Sequence, residues 1–171
     1  MSSKGQIVEI PASASLYESS KRSFHSRKDE LTWKSASRTY SLFDGFLVGE
    51  HPGVEHFKIG QRKGINAGGK KEPLYVIAID PAENRLFVGA GEKHPGLFTE
   101  VVRLDAVDFS LLSINQPTEI LEGGLAVNVI MEGSEGEIPA RLYHWEGLYF
   151  LEFDRKVPIN IKDHIKTITT Y

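Results

Sequence analysis

The sequence predicts a mainly β protein: a small central β-rich domain followed by a β-barrel, with few helices. Three observations predict it. Short apolar or alternating runs recur at close spacing from residue 46 to the carboxy terminus. Turn-forming residues separate them, among them Asp80-Pro81-Ala82-Glu83-Asn84 and Glu146-Gly147. Helical periodicity is nearly absent. Short strands punctuated in this way belong to sandwiches and barrels rather than to helical bundles.

Gly5-Gln6-Ile7-Val8-Glu9-Ile10 alternates apolar and polar residues, as a half-buried strand does, and Pro11 stops it. Ser13 to Tyr40 is poorly patterned, although Lys28 to Trp33 suits a short helix or turn. Phe46-Leu47-Val48 and Glu55 to Ile59 are the next strand candidates. Leu74-Tyr75-Val76-Ile77-Ala78-Ile79 is almost continuously apolar, the signature of a strand buried on both faces. Pro81 presets its φ and Asn84 tolerates a left-handed backbone, so the chain turns there and returns along Arg85 to Val88. Thr99 to Leu104, Ala126 to Met131, Ile138 to Trp145, Leu148 to Phe153 and Ile165 to Tyr171 complete the predicted strands. Glu146-Gly147 is a tight hairpin turn between two of them.

The predicted organisation is a polar amino-terminal strand and insertion over 1–42, a central domain over 43–92 and a barrel-like domain over 93–171. The second boundary is drawn in the Gly91 to Gly96 cluster of Gly, Lys, His and Pro. The 171 residues are 40% hydrophobic and 25% charged, ordinary for a globular chain able to bury a core. No apolar run approaches the roughly 18 residues of a membrane span, and the first five residues lack a signal peptide's apolar core. The expectation is a cytoplasmic protein with no membrane partner. The chain contains no cysteine, which excludes disulfides, thiolate metal sites and cysteine nucleophiles within it. Net charge is −3, unevenly spread. Residues 1–99 hold 14 Lys and Arg against 11 Asp and Glu, +3, whereas 100–171 hold 6 against 12, −6. The first part is the better candidate to meet a polyanion.

Two motifs come close to nucleotide-binding signatures. Gly64-Ile65-Asn66-Ala67-Gly68-Gly69-Lys70-Lys71 has the glycine and lysine spacing of a phosphate-binding loop. Lys71 stands where the magnesium-binding hydroxyl is needed, and Glu72-Pro73 and a strand follow instead of a helix. Gly89-Ala90-Gly91 begins a dinucleotide fingerprint, but the third glycine is missing and Pro95 soon follows. Both read as loops. Glu50-His51 and Glu55-His56 offer metal-ligating types without the spacing that makes a metal site specific, and the expectation is no metal.

The segment from Asp44 to Phe98 carries a resemblance. It runs Asp44-Gly45 to Gly49-Glu50-His51, then Ile59-Gly60-Gln61-Arg62-Lys63-Gly64, Gly68-Gly69 and Pro73-Leu74-Tyr75-Val76. Asn84-Arg85-Leu86-Phe87-Val88-Gly89 and His94-Pro95-Gly96-Leu97 close it. This ordered set resembles the bacterial tRNA-specific 2-thiouridylase (MnmA-type) family, and Gly5-Gln6-Ile7-Val8 is similar to a strand of that family. Pro11 to Leu42 stands as a long insertion against the family pattern.

The resemblance implies an amino-terminal ATP-pyrophosphatase domain, a small central domain and a carboxy-terminal β-barrel, of which this chain would supply the last two. It implies an enzyme that activates the C2 oxygen of a wobble uridine with ATP and delivers sulfur from a cysteine persulfide. Without cysteine no persulfide forms here. The chain is therefore expected to be a non-catalytic portion, natural or cut from a longer chain. It would hold no cofactor; ATP would belong to a catalytic domain joined in cis or in trans. The expected partners are tRNA and that domain.

Where the family carries an Arg-Tyr-Arg tRNA contact, Glu132-Gly133-Ser134 falls, and glutamate repels phosphate. The family's Thr-Pro-Gly-Gln step falls near Ile161-Lys162-Asp163-His164. RNA or domain contact is instead expected from Lys58, Gln61, Arg62, Lys63, Lys70 and Lys71, around a glycine-rich loop where Arg and Lys can neutralise phosphates. The competing reading pairs Arg62 and Lys63 with Glu50, Glu55 or Glu72 to hold the fold. Phe57, Tyr75 and Phe87 could stack on bases, but their apolar strands favour core packing. The alternative function is a protein-interaction barrel that has lost tRNA binding.

Overall fold

The computed structural model describes residues 4–18, 22–67, 69, 71–105, 108 and 123–170. They form two compact units, Met1–Arg22 with Arg38–Phe98, and Ser23–Ser37 with Thr99–Tyr171. The chain is mostly β, with two sheets and one α-helix among the described residues.

The first unit contains strands β1 (Gly5–Glu9), β2 (Phe46–His51), β3 (Leu74–Asp80) and β4 (Arg85–Ala90) in the order β2-β1-β4-β3. β1 pairs antiparallel with β2 and parallel with β4, and β3 with β4 is an antiparallel hairpin. Alternation along the strands loads both faces. Ile7, Leu74, Val76, Leu86 and Val88 pack with Phe57 on one side. Val8, Ile10, Ile77 and Phe87 pack with Tyr40 on the other. The continuous apolar run of β3 is thus explained by burial on both faces. Its hairpin turns through Asn84, whose φ is 53°, with the Glu83 amide donating to Asp80 Oδ1 at 3.2 Å.

One expected strand is absent. Val54–His56 forms a 3-10 turn, not part of a strand over Glu55 to Ile59. Gly53 has a φ of 151°, and the His56 and Phe57 amides donate back to the carbonyls of Gly53 and Val54. These local bonds satisfy the backbone without a sheet partner. The Phe57 ring is still buried, so its apolar character marks the core rather than a strand.

The second unit orders β5 (Phe98–Leu104), β6 (Leu125–Met131), β7 (Glu137–Trp145), β8 (Leu148–Pro158) and β9 (Ile165–Thr170) as β5-β8-β7-β6-β9. Val102, Leu104, Val127, Val129, Leu142, Leu151, Phe153 and Ile168 are among the residues of its main core. β7 and β8 join through Glu146 (φ 50°) and Gly147 (φ 81°), the left-handed pair of a twisted two-residue hairpin. β8 continues five residues past the expected Phe153.

Helix α1 (Arg27–Ser35) also belongs to this unit. Ser26 caps it, Oγ accepting from the Asp29 amide at 3.1 Å, and Asp29 and Glu30 lie in its first turn, favourable to the helix dipole. Leu31 is its fully buried residue, packed with Val101, Tyr143 and Phe150. Residues 1–42 are therefore divided between the units, and the chain passes between them after Arg22, after Ser37 and after Phe98. No described helix is long and apolar enough to cross a membrane.

Candidate nucleic-acid interface

The segment from Lys58 to Lys71 joins the turn after β2 to the start of β3. Alternate side chains fix it to the sheet: Ile59, Ile65 and Ala67 pack against the Ile7–Val76–Val88 core. Lys58, Arg62, Lys63 and Lys71 are exposed. The backbone is pinned at three points. The Gly60 amide donates to the Val76 carbonyl at 2.8 Å, and the Val76 amide donates to the Gln61 carbonyl at 2.9 Å. Farther along, the loop lies so close to β2 that a Cβ on Gly49 would stand 2.4 Å from the Asn66 carbonyl oxygen. Near Lys71, the Gly91 amide donates to the Pro73 carbonyl at 2.9 Å. Gly60 (φ 88°) and Gly64 (φ 85°) supply the left-handed bends on either side of Gln61-Arg62-Lys63.

Among the described residues, Lys58, Arg62, Lys63 and Lys71 make no side-chain ion pair, and the competing pairing of Arg62 or Lys63 with Glu50, Glu55 or Glu72 is not formed. The exposed Glu55 carboxylate has His56 at 3.7 Å. Lys70 lies outside the described residues. Gln61 is set apart from the cations. Its Oε1 accepts from the Lys58 amide at 3.0 Å, and its Nε2 donates to the Lys63 carbonyl at 2.8 Å. What the arrangement can do chemically is present cationic groups on a fixed turn to an anionic surface. Phe57 and Phe87 are buried, as core packing requires, and Tyr75 is half-buried.

Sequence reasoning missed a pair of structural histidines. His51 Nδ1 accepts from the Gly53 amide at 3.1 Å while Nε2–H donates to the Asn84 carbonyl at 3.0 Å. His94 Nδ1 accepts from the Gly96 amide at 3.0 Å while Nε2–H donates to the Ile10 carbonyl at 2.7 Å. Each ring ties its own turn to another part of the first unit. The available signal was the tripeptide His-Pro-Gly, present at 51–53 and again at 94–96. Among the described residues no three acidic or histidine side chains are grouped so as to hold a metal ion.

Burial pushes the His94 imidazole below its ordinary value, with the hydrogen bond to Ile10 and the nearby Glu9 opposing the shift. A depressed histidine contributes stability above its unfolded pKa, about 6.5. That contribution is lost as pH falls from there through the folded value, because the unfolded chain then binds the extra proton. Urea unfolding should accordingly show a lower midpoint at pH 5.5 than at pH 7.5. His94→Asn should show a smaller difference; an equal difference would remove His94 as its source.

Comparison with known proteins gives first a domain class and then particular relatives. A family model described as the tRNA methyl transferase PRC-barrel domain matches residues 33–90, which include Lys58, Gln61, Arg62 and Lys63. The central region is also homologous to tRNA-specific 2-thiouridylases. That of Christiangramia forsetii is 42% identical over 99 residues, 58% of this chain and 25% of the relative. That of Karelsulcia muelleri is 38% identical over 99 residues, 58% of this chain and 24% of the relative. A shorter stretch is 59% identical over 46 residues to the Rhodospirillum rubrum enzyme, 27% of this chain and 12% of the relative. The longer matches take in about a quarter of the relatives' length.

Proposed function

We propose that this chain is a non-catalytic part of a tRNA 2-thiouridylation system, holding tRNA through the phosphates that meet the Lys58–Lys71 loop. The observation that carries the reading is a set of exposed cations without ion-pair partners among the described residues, on a loop fixed to the sheet. The loop lies within the region homologous to 2-thiouridylases. In this reading uridine activation and sulfur delivery belong to an ATP-pyrophosphatase domain acting in cis or in trans. ATP is that domain's substrate, and this chain carries no cofactor.

Binding of labelled tRNA across a salt series tests the reading. Three or four phosphate contacts give log K a slope of about −3 against log salt, so affinity should fall roughly fiftyfold between about 50 and about 200 mM salt. Absence of binding at the lowest salt would sink the reading for this chain.

A second reading, a protein-interaction module without tRNA contact, is favoured by one surface. Phe43, Phe46 and Leu47 are 95%, 48% and 54% exposed, on the edge strand β2 and the turn before it. The turn is held by a reciprocal Ser41–Asp44 cap, so these apolar groups are presented rather than loosely displayed. In the second unit, taken by itself, the β6–β7 turn carries exposed Glu132 and Glu135, which repel phosphate. Under this reading Leu47→Glu would abolish capture of a catalytic partner and charge reversal at Arg62 would not.

A further inference from the structure

We infer that Gln61 is a positioning residue, not an RNA contact: its side chain holds Lys58, Arg62 and Lys63 on one preformed phosphate-binding turn. The inference rests on the reading of this loop as the tRNA-contact surface and adds how the surface is kept in shape. A glutamine that reads a base does so with both ends of its amide, pairing donor and acceptor with an adenine edge. Both ends of Gln61 are engaged within its own loop. Oε1 accepts from the Lys58 amide at 3.0 Å and Nε2 donates to the Lys63 carbonyl at 2.8 Å. Its backbone is occupied as well, the amide donating to the Lys58 carbonyl at 3.1 Å and the carbonyl accepting from Val76 at 2.9 Å.

The side chain therefore bridges the two ends of the cationic turn, one hydrogen bond to each. The three cations flank it in sequence, all exposed and none ion-paired among the described residues. Without the bridge, Gly64 leaves the Arg62-Lys63 side of the turn, beyond the backbone bonds of Gly60 and Gln61 to Val76, free to populate other left- and right-handed conformations. Binding would then have to order several residues at the moment of contact, a cost the bridged turn has already met on folding.

The test compares tRNA binding by the full chain with binding by Gln61→Met and Gln61→Lys. Gln61→Met keeps the length and removes both hydrogen bonds. Gln61→Lys adds a cation but cannot accept from the Lys58 amide. Positioning predicts that Gln61→Met binds about three- to tenfold more weakly, the worth of one or two partly exposed hydrogen bonds. Its salt slope should be shallower than wild type and the Lys58 amide should exchange faster, while the active fraction stays the same and circular dichroism shows the wild-type fold at the assay temperature. Gln61→Lys should also have a slope no steeper than wild type, despite the added charge. Tighter binding with a steeper slope in Gln61→Lys would show that charge alone decides affinity and would overturn the inference. So would a Gln61→Met protein that binds with wild-type affinity and slope, or one that loses a base preference with its slope unchanged. Failure of the wild-type chain to bind tRNA would overturn this inference together with the proposed function, whereas the Gln61 outcomes overturn this inference alone.

Discussion

Leu31→Ala should lower the unfolding free energy of the second unit by about 2–5 kcal/mol, the range for truncating a buried leucine whose site cannot collapse. Leu31 is 0% exposed and meets Val101 of β5, Tyr143 of β7 and Phe150 of β8. Two sets of polar contacts surround it. Arg27 pairs with Glu30 and Glu152 and lies 5.4 Å over the Tyr143 ring. Lys28 reaches Glu146 at 2.8 Å, but that carboxylate is 80% exposed. A pair so open to water contributes little and weakens with salt. Lys28→Ala should therefore change stability by less than about 0.5 kcal/mol. Urea unfolding of both variants tests the contrast. A Leu31→Ala loss no larger than that of Lys28→Ala would mean that charge, not the buried leucine, docks α1.

Much of the fold is legible because its signals are local. Alternation in Gly5 to Ile10, the continuous run of Leu74 to Ile79 and the Asn84 and Glu146-Gly147 turns all depend on neighbours in sequence, and each became the expected element. Glu55 to Ile59 reads as a strand because Phe57 and Ile59 flank a lysine, yet it is not one. Both are indeed directed to the core, but the His56 and Phe57 amides close turns onto Gly53 and Val54 and the Lys58 amide bonds the Gln61 side chain, so no strand ladder forms. The sharing of residues 1–42 between two units could not be read from composition. It depends on a cavity for Leu31 built by strands about 70 to 120 residues later.

The exposure of Lys58, Arg62, Lys63 and Lys71 was legible, since it follows from the chemistry of Arg and Lys in a glycine-rich loop. The task of Gln61 was not, because it is set by hydrogen bonds to the Lys58 amide and Lys63 carbonyl rather than by residue type. His51 and His94 were hidden for the same reason. Their partners, Asn84 and Ile10, lie 33 and 84 residues away.

The Arg62→Glu/Lys63→Glu variant should lose tRNA affinity by about a hundredfold or more at low salt. Two phosphate contacts disappear and two repulsive charges replace them, which should also make the salt slope shallower by about 2. The fold should be unaffected, since neither side chain has an ion-pair partner among the described residues and both are exposed. Replacing exposed residues away from packing usually changes stability by less than about 0.5 kcal/mol. The effect on RNA should exceed that of any single substitution in the loop. The most direct measurement is therefore tRNA binding by the wild-type chain beside this variant, at matched low salt, with thermal midpoints recorded for both. Salt-sensitive binding by the wild type, lost in a variant of unchanged midpoint, is the predicted result. Equal binding by the two proteins would contradict the assignment of the Lys58–Lys71 loop as the surface that meets RNA.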